Sequence, residues 1–342
     1  MVEPLPEKNG AMIGERRTPV KCYNRHVADV FLVTGGAGFI GSHLVERLLA
    51  DGARVRVLDN FSTGGRANLP FAREAGRRLE VIRGDIRHRG VVERAARGVR
   101  AIFHQAALRS VPRSVKDPLG ANENNVTGTL NVLAAARRAR VARVVYASSS
   151  SVYGDRPDLP KREEQPPAPI SPYAVSKAAG EQYAAVWTRL YGVETVGLRY
   201  FNVFGPRQDP KSEYAAVIPR FILWGLRGKP LEVHGDGAQS RDFTYIDNVV
   251  EANLLAARAA GVGGEVFNVG CGDRVSLLEI IAKLEAILGR RLVRRHGPPR
   301  PGDVAHTLAD VSKGKRLLGY TPLVPFDEGF RRTVEYFRTL TG

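Results

Sequence analysis

Tyr173 and Lys177 stand four residues apart in SPYAVSK, so on a helix they share one face. An ammonium beside a phenol favours the phenolate and lowers the hydroxyl's pKa from its reference of about 10. The pair then offers a base usable near neutral pH. Tyr and Lys at this spacing also arise on ordinary solvated helices, so the pair needs a context. One context is the run Ser148-Ser149-Ser150-Ser151 in ASSSSVYG, where a hydroxyl can bridge the phenol and a substrate oxygen. We assign that role to Ser149, 24 residues before Tyr173, with Ser150 the second choice. Read alone, the serine run is a polar turn.

The second context is Thr34–Gly41, TGGAGFIG, with glycines at 35, 38 and 41. It follows an apolar run that reads as a strand and opens a stretch that reads as a helix, the setting that turns a weak glycine motif into a strong one. Glycine permits the tight turn and lets the backbone approach a pyrophosphate, and the helix N-terminus supplies free N–H groups and a positive dipole. Asp59 ends the next strand, 18 residues after Gly41. A carboxylate there accepts both adenosine ribose hydroxyls and repels a 2′-phosphate, which favours NAD over NADP; its plain alternative is a turn cap. Asp85, in Arg83-Gly84-Asp85-Ile86, follows the third strand at a place that would meet the adenine. Small residues in His104-Gln105-Ala106-Ala107 leave room for a cofactor, while His104 itself reads as a core residue.

These groups need a scaffold, and the chain supplies one. Short apolar runs at 29–34, 54–58, 79–83, 101–104 and 143–147 read as strands. They alternate with helical stretches at 39–50, 91–97 and 126–138, and a Pro-rich loop at 157–172 precedes a helix over 173–191. Such alternation predicts an α/β fold: a Rossmann-like, doubly wound parallel sheet covered by helices. After the strand at 195–200 the pattern changes, with helices expected at 217–226, 277–288 and 326–340 and a strand at 265–269. We read residues 1–27 as a loose leader and 28–200 as the dinucleotide domain, with returning segments near 233–272. Residues 201–342 read as a smaller α/β substrate-binding domain that closes over the ligand.

The bulk properties agree. The 342 residues carry two cysteines, Cys22 and Cys271, too few for a disulfide framework, which fits a reducing cytoplasm. No apolar run approaches the roughly 20 residues of a membrane span, and the first 27 lack a secretory apolar region. The net charge of +16 is spread rather than blocked. It argues against a nucleic-acid arm and suits a dianionic pyrophosphate substrate. No metal-ligand spacing is visible.

The set TGGAGFIG, LDNFSTG, HQAA, ASSSSVYG, SPYAVSK and LRYFNVFG resembles the extended short-chain dehydrogenase/reductases, from about residue 29 to the end. RYFNVFGPRQDPKSEYAAVIPRFI (199–222), GDGAQSRDFTYIDN (235–248) and RPGD (300–303) are similar to the UDP-glucose and UDP-N-acetylglucosamine 4-epimerases. The resemblance implies that Gly35, Gly38, Phe39 and Ile40 hold the NAD pyrophosphate. It gives Asp59, Asn60, Ser62, Thr63 and Gly64 to the adenosine end, with Asp85 and Ile86 at the adenine. Gln105, Ala106, Ala107, Tyr200 and Val203 would line the nicotinamide side, where Tyr173 and Lys177 also touch the cofactor. Asn125 matches the family's structural asparagine. Ser110, Ser149, Ser150, Asn202, Ala216, Val217, Phe221, Arg241, Arg300 and Asp303 would contact the UDP-sugar, the arginines because guanidinium binds phosphate oxygens bidentately.

The implied reaction is redox-neutral 4-epimerisation. Tyr173 takes the proton of the sugar 4-hydroxyl, hydride leaves C4 for NAD, the keto sugar turns over, and hydride returns to the other face. Relatives form homodimers through the helices near 126–138 and 173–191, so a homodimer is expected, with no nucleic-acid or membrane partner. Dehydratases and decarboxylases of the same scaffold place an acid beside the catalytic Ser or Thr; residues 148–151 are all serine, which disfavours both. A non-catalytic NAD sensor would not need Ser149, Tyr173 and Lys177 together. One departure is Arg109, at a place where the family often carries glycine beside the sugar. It either points to solvent or faces a sugar carboxylate, which would make a UDP-uronic acid the substrate. Thr307, at the C2-substituent position, is small enough to admit N-acetylated sugars.

Overall fold

Residues 29–210, 216–298 and 304–341 are described by a computed structural model. The leader 1–27, and Arg300 and Asp303, lie outside the described residues. Seven strands form one parallel sheet: β1 (Val30–Thr34), β2 (Arg54–Asp59), β3 (Leu79–Arg83), β4 (Ala101–His104), β5 (Arg143–Ser149), β6 (Glu194–Tyr200) and β7 (Val266–Val269), in the spatial order β7-β6-β5-β4-β1-β2-β3. The chain runs outward from β1 to β3, then returns to lay β4 on the other side of β1. Strands facing helices on both sides read as continuous apolar runs, and Leu32, Val33, Val57, Ile102, Phe103, Val144 and Val145 are indeed buried. The strand order reverses between β1 and β4, whose ends pair Thr34 with His104. A crevice opens at such a reversal, beyond the carboxyl ends of the strands.

Helix α1 (Phe39–Ala50) follows β1 and buries Leu44, Val45, Leu48 and Leu49 against the sheet. Helix α2 (Gly128–Arg138) is entered through a wide helical turn at Glu123–Thr127. The predicted helix over 126–138 therefore starts two residues late as a regular α-helix, because the turn before it is widened around Asn125. Helix α3 (Pro172–Tyr191) begins where Ser-Pro dictates: Ser171 caps it by accepting from Ala174 N at 3.2 Å, and Pro172 occupies the first turn. Gly192, in the left-handed region, ends it.

Helices α4 (Val217–Leu226), α5 (Ile246–Arg258), α6 (Leu277–Leu288) and α7 (Phe326–Thr339) complete the main elements. Helix α6 starts with a capping box between Ser276 and Glu279. Two short strand pairs hold the C-terminal part together: Leu231–His234 runs parallel to Arg294–Gly297, and Ser240–Arg241 antiparallel to Val275–Ser276. Strand β7 returns to the central sheet and pairs with β6, so 266–269 belongs to the dinucleotide-side sheet although it follows the C-terminal insertions. Among the described residues no helix is long and apolar enough to cross a membrane.

Candidate active site

The crevice at the strand-order reversal is walled by Gly35, Gly38, Phe39, Ile40 and Gly41 on one side and by Asp59, Asn60, Ser62 and Thr63 at the end of β2. Gly84, Ile86, Gln105, Ala106, Ala107, Arg109 and Asn124 complete it. Its floor is backbone. Gly35 has φ +69°, and a Cβ there would fall 2.7 Å from Ala106 N; a Cβ on Gly41 would fall 2.2 Å from Gly35 O. Any side chain at either position would close the turn. Gly38 is the N-cap of α1 and offers no capping side chain, so the first N–H groups of that helix remain available to a ligand. A dinucleotide pyrophosphate fits such a cradle.

Asp59 is buried and accepts from Ala37 N (2.9 Å, Oδ2) and Phe61 N (2.8 Å, Oδ1), so its plane is fixed while each oxygen keeps a second lone pair. Asn60 points to Asp85, donating at 2.9 Å. Asp85 stands behind Asn60 and is not among the lining residues; burial alone would raise its pKa, yet bonds from Arg87 and Asn60 hold it down at about 2. Gly84 and Ile86, its neighbours, form the wall instead. Gly64 packs against the crevice from behind, where a Cβ would meet Ala37 O at 2.4 Å.

Tyr173 lies in the first turn of α3, its N–H bonded to Ser114 Oγ at 3.0 Å. Its side chain is buried, and Ser149 at the end of β5 stands near enough to pull the hydroxyl's pKa down. Ser149 Oγ accepts from Ser151 N (3.2 Å) and Ser151 Oγ (2.9 Å). Lys177 is buried one turn on, with Nζ donating to Ala147 O at 2.7 Å and lying 6.0 Å from the Tyr173 ring centroid. Burial lowers the Lys177 pKa to about 7, against the upward pull of Glu181. The Tyr173 hydroxyl is raised above its ordinary value by burial, offset by the Ser149 bond and the positive charge of Arg109. Burial thus dominates the phenol in the ligand-free protein.

Asn125, from the wide turn, is the keystone between the parts. Its Oδ1 accepts from Leu108 N (2.7 Å), and its Nδ2 donates to Leu108 O (3.0 Å) and Ser176 Oγ (2.9 Å). It therefore ties the loop after β4 to the helix that carries Tyr173 and Lys177. His104 is a core residue, held between Thr34 (2.7 Å) and Thr129 (3.0 Å), and burial and Lys177 push its pKa down to about 3.

A second cleft lies beyond the first and gathers Asn202, Val203, Ala216, Val217 and Arg241, with Arg220, His234 and Gln239. Arg241 donates to Ser240 O (3.0 Å) and Ala305 O (2.7 Å), and Asn202 donates to Thr307 Oγ1 (3.2 Å). Several expected placements shift. Val203 lines this second cleft, where it pairs with Thr244 in a short strand beyond β6. Phe221 is fully buried on the inner face of α4 and does not line it. Tyr200 is buried, its hydroxyl in a triangle with Gln105 (3.1 Å) and Asn253 (2.8 Å). Ser110 caps Val111–Lys116 by accepting from Arg113 N (3.2 Å), and Ser150 opens a short turn.

Some contributors escaped sequence reasoning. Asn253 sits on α5, a helix not expected, though its apolar period (VVEANLLAA) was there to read. Glu181 lies eight residues beyond Tyr173 on the same face of α3. It binds Arg199 of β6 through Nε (2.9 Å) and Nη2 (2.8 Å), and it accepts from Ser148, the neighbour of Ser149. A carboxylate continuing the Tyr173–Lys177 stripe at i+4 was the available signal.

Residues 31–270 match the NAD dependent epimerase/dehydratase family. The chain is 42% identical over 314 residues to a UDP-glucose 4-epimerase of Mycolicibacterium smegmatis, covering 90% of this chain and 98% of the relative. Its fold superposes with a TM-score of 0.87 on a UDP-N-acetylglucosamine 4-epimerase from Methanobrevibacter ruminantium in complex with UDP-N-acetylmuramic acid, at 38% identity over 92% of this chain and 99% of that one. With a UDP-glucuronic acid 4-epimerase from Bacillus cereus, in complex with UDP-glucuronic acid and NAD, the TM-score is 0.84 at 34% identity, over 91% and 99%. On the glycine cradle, the seven-stranded sheet and these matches, the chain belongs to the NAD dependent epimerase/dehydratase family of the extended short-chain dehydrogenase/reductases.

Proposed function

We propose that this protein is an NAD-dependent 4-epimerase of a UDP-hexose. The observation that carries the reading is the gathering of Ser149, Tyr173 and Lys177 at the end of β5, the strand beside β4, whose following residues Gln105–Ala107 wall the glycine-floored crevice. Relatives that act on UDP-glucose, UDP-N-acetylglucosamine and UDP-glucuronate share the scaffold and support the class.

Bound NAD would lie with its pyrophosphate on Gly35, Gly38 and α1, with its adenosine ribose on Asp59, and would supply the hydride acceptor and a positive charge beside Tyr173. A positive charge there would favour the phenolate. Tyr173 then removes the proton of the substrate's 4-hydroxyl, and Ser149 donates to the same oxygen. Lys177, held by Ala147 O, would favour the Tyr173 phenolate and would be a donor for the cofactor ribose. Asn125 keeps the loop after β4 in register with α3. Arg241 and Asn202 in the second cleft hold the uridine diphosphate, so the neutral keto sugar stays tethered while it turns. With serine at all of 148–151, no acid stands beside Ser149 to carry the additional proton transfers of a dehydratase.

The test is incubation of purified protein and NAD with a panel of UDP-sugars, the products separated by chromatography. Interconversion of 4-epimers with no net change in NAD is expected, lost in Tyr173→Phe. Stoichiometric NADH with an oxidised sugar, loss of water from the sugar, or no turnover at all would each refute the reading.

A further inference from the structure

Lys177 can favour the Tyr173 phenolate only while its own amine carries a proton, and burial works against that proton. Around the amine stand Ala147 O at 2.7 Å and the centroids of the Tyr146 and Tyr173 rings at 5.0 and 6.0 Å. His104 of β4 is near enough to feel its charge. Burial keeps that imidazole neutral and raises both phenols, and Arg109 adds positive charge at Tyr173. None of these groups supplies a negative charge near neutral pH. Among the described residues, the one carboxylate whose charge reaches Lys177 is that of Glu181, one turn further along the same face of α3.

That carboxylate is locked in place. Oε1 accepts from Arg199 Nε at 2.9 Å and from Ser148 Oγ, and Oε2 accepts from Arg199 Nη2 at 2.8 Å. Arg199 is itself anchored on β6: Nη1 donates to Glu163 O at 3.4 Å, and the guanidinium lies 4.7 Å from the Tyr153 ring centroid. A buried ion pair is a costly way to hold a strand to a helix, since apolar residues of similar volume often do as well or better. Its placement gives the charge a use. Three consecutive residues end β5: Ala147 holds Lys177, Ser148 holds Glu181, and Ser149 stands beside Tyr173. We propose that Glu181, fixed by Arg199 and Ser148, is a positioning residue that acts through Lys177. Its charge keeps the ammonium protonated beside Tyr173, so that as pH rises the phenol, rather than the amine, gives up the first proton to solvent. The proposal rests on the 4-epimerase reading for what the phenolate does, while the proton balance itself belongs to the NAD-loaded protein with or without a sugar.

The experiment titrates Tyr173 in the NAD-loaded protein. Phenolate absorbance is followed as pH rises, and the Tyr173→Phe counterpart of each protein is subtracted to remove the other tyrosines. Wild type is compared with Glu181→Gln, close in shape but uncharged, and with Glu181→Leu/Arg199→Met, which removes both charges and strands neither. A unit charge one helical turn away in a buried site is worth on the order of one pH unit, so the Tyr173 midpoint should rise by about that much in both variants. On the UDP-sugar that wild type turns over, kcat at neutral pH should fall about tenfold with KM little changed, because the cleft that holds the nucleotide is untouched. A midpoint that stays at the wild-type value or falls, whatever happens to kcat or to stability, would show that the pair only braces α3 against β6 and would overturn the proposal. Should one variant fail to fold, the other reads the midpoint by itself. A raised midpoint in the variants of a protein that epimerises no UDP-sugar would uphold the proton balance while the 4-epimerase reading fails.

Discussion

The buried pair Arg199–Glu181 supplies the sharpest quantitative expectation. Its side chains are only 3% and 7% exposed, and two parallel N–H bonds of 2.9 and 2.8 Å join them between β6 and α3. The guanidinium also lies 4.7 Å from the Tyr153 ring centroid, and Ser148 bonds the carboxylate from β5. Removing one partner strands a charge in the core. Arg199→Met should therefore cost about 3–5 kcal/mol, and Glu181→Leu a similar amount. If the losses were independent, the double variant would lose about 6–10 kcal/mol, enough to unfold a typical domain. An apolar pair of similar volume instead leaves no charge unpaired, so the double variant should return to within about 2 kcal/mol of wild type, the remainder being the orphaned Ser148 hydroxyl. Urea unfolding followed by circular dichroism on the four proteins closes the cycle. A coupling below about 1 kcal/mol, or a single variant as stable as wild type, would refute the view that this pair matters as a desolvated unit.

Gly41→Ala would put a Cβ 2.2 Å from Gly35 O, backbone that cannot yield without opening the phosphate turn, so NAD binding measured by calorimetry should be lost. Asn125→Ala removes two bonds to Leu108 in the loop after β4 and a buried one to Ser176 of α3. It should lower the melting temperature by the equivalent of about 1–3 kcal/mol and reduce kcat more than it raises KM, since it disorders positioning rather than binding. Lys177, with its pKa lowered by burial to about 7 from an ordinary 10.5, binds fewer protons folded than unfolded between those values. Stability of the ligand-free protein should thus rise with pH from about 7 to 10.5 relative to Lys177→Met, most steeply midway between the two values; a flat difference between the two denaturation series would contradict the burial of the amine there.

The sequence carried the sheet well because its strands are buried on both faces, so their apolar runs are unmistakable; the helices at 217–226 and 277–288 were bounded correctly because they carry apolar stripes and, for the second, a Ser276–Glu279 cap and Gly289 at the end. The pairing of Leu231–His234 with Arg294–Gly297 was not legible: the two strands lie more than sixty positions apart, and Arg294–Gly297 is polar and exposed. The helix over Ser312–Leu318 is two turns long and too short to show a period. In the site, the glycines, Asp59, Tyr173 and Lys177 could be found because spacing alone expresses their geometry. Neither Asp85 nor Phe221 lines a cleft, which position alone does not tell, because it says nothing about which way a side chain turns: Arg87 binds Asp85, and the apolar interior takes Phe221. The roles of Asn253 and Glu181 depend on partners from distant strands and become visible only in three dimensions.

Tyr173, Lys177 and NAD are asked to oxidise the sugar at C4 and reduce it again without exchange with water. A UDP-hexose carrying deuterium at C4, turned over in ordinary water without added reductant, tests this directly by mass spectrometry and proton NMR of the epimer mixture. The label should stay at C4 in both epimers, with reduced nicotinamide appearing only transiently. Loss of the deuterium to solvent would mean that C4 is inverted by deprotonation, and the hydride mechanism drawn from this site would be wrong.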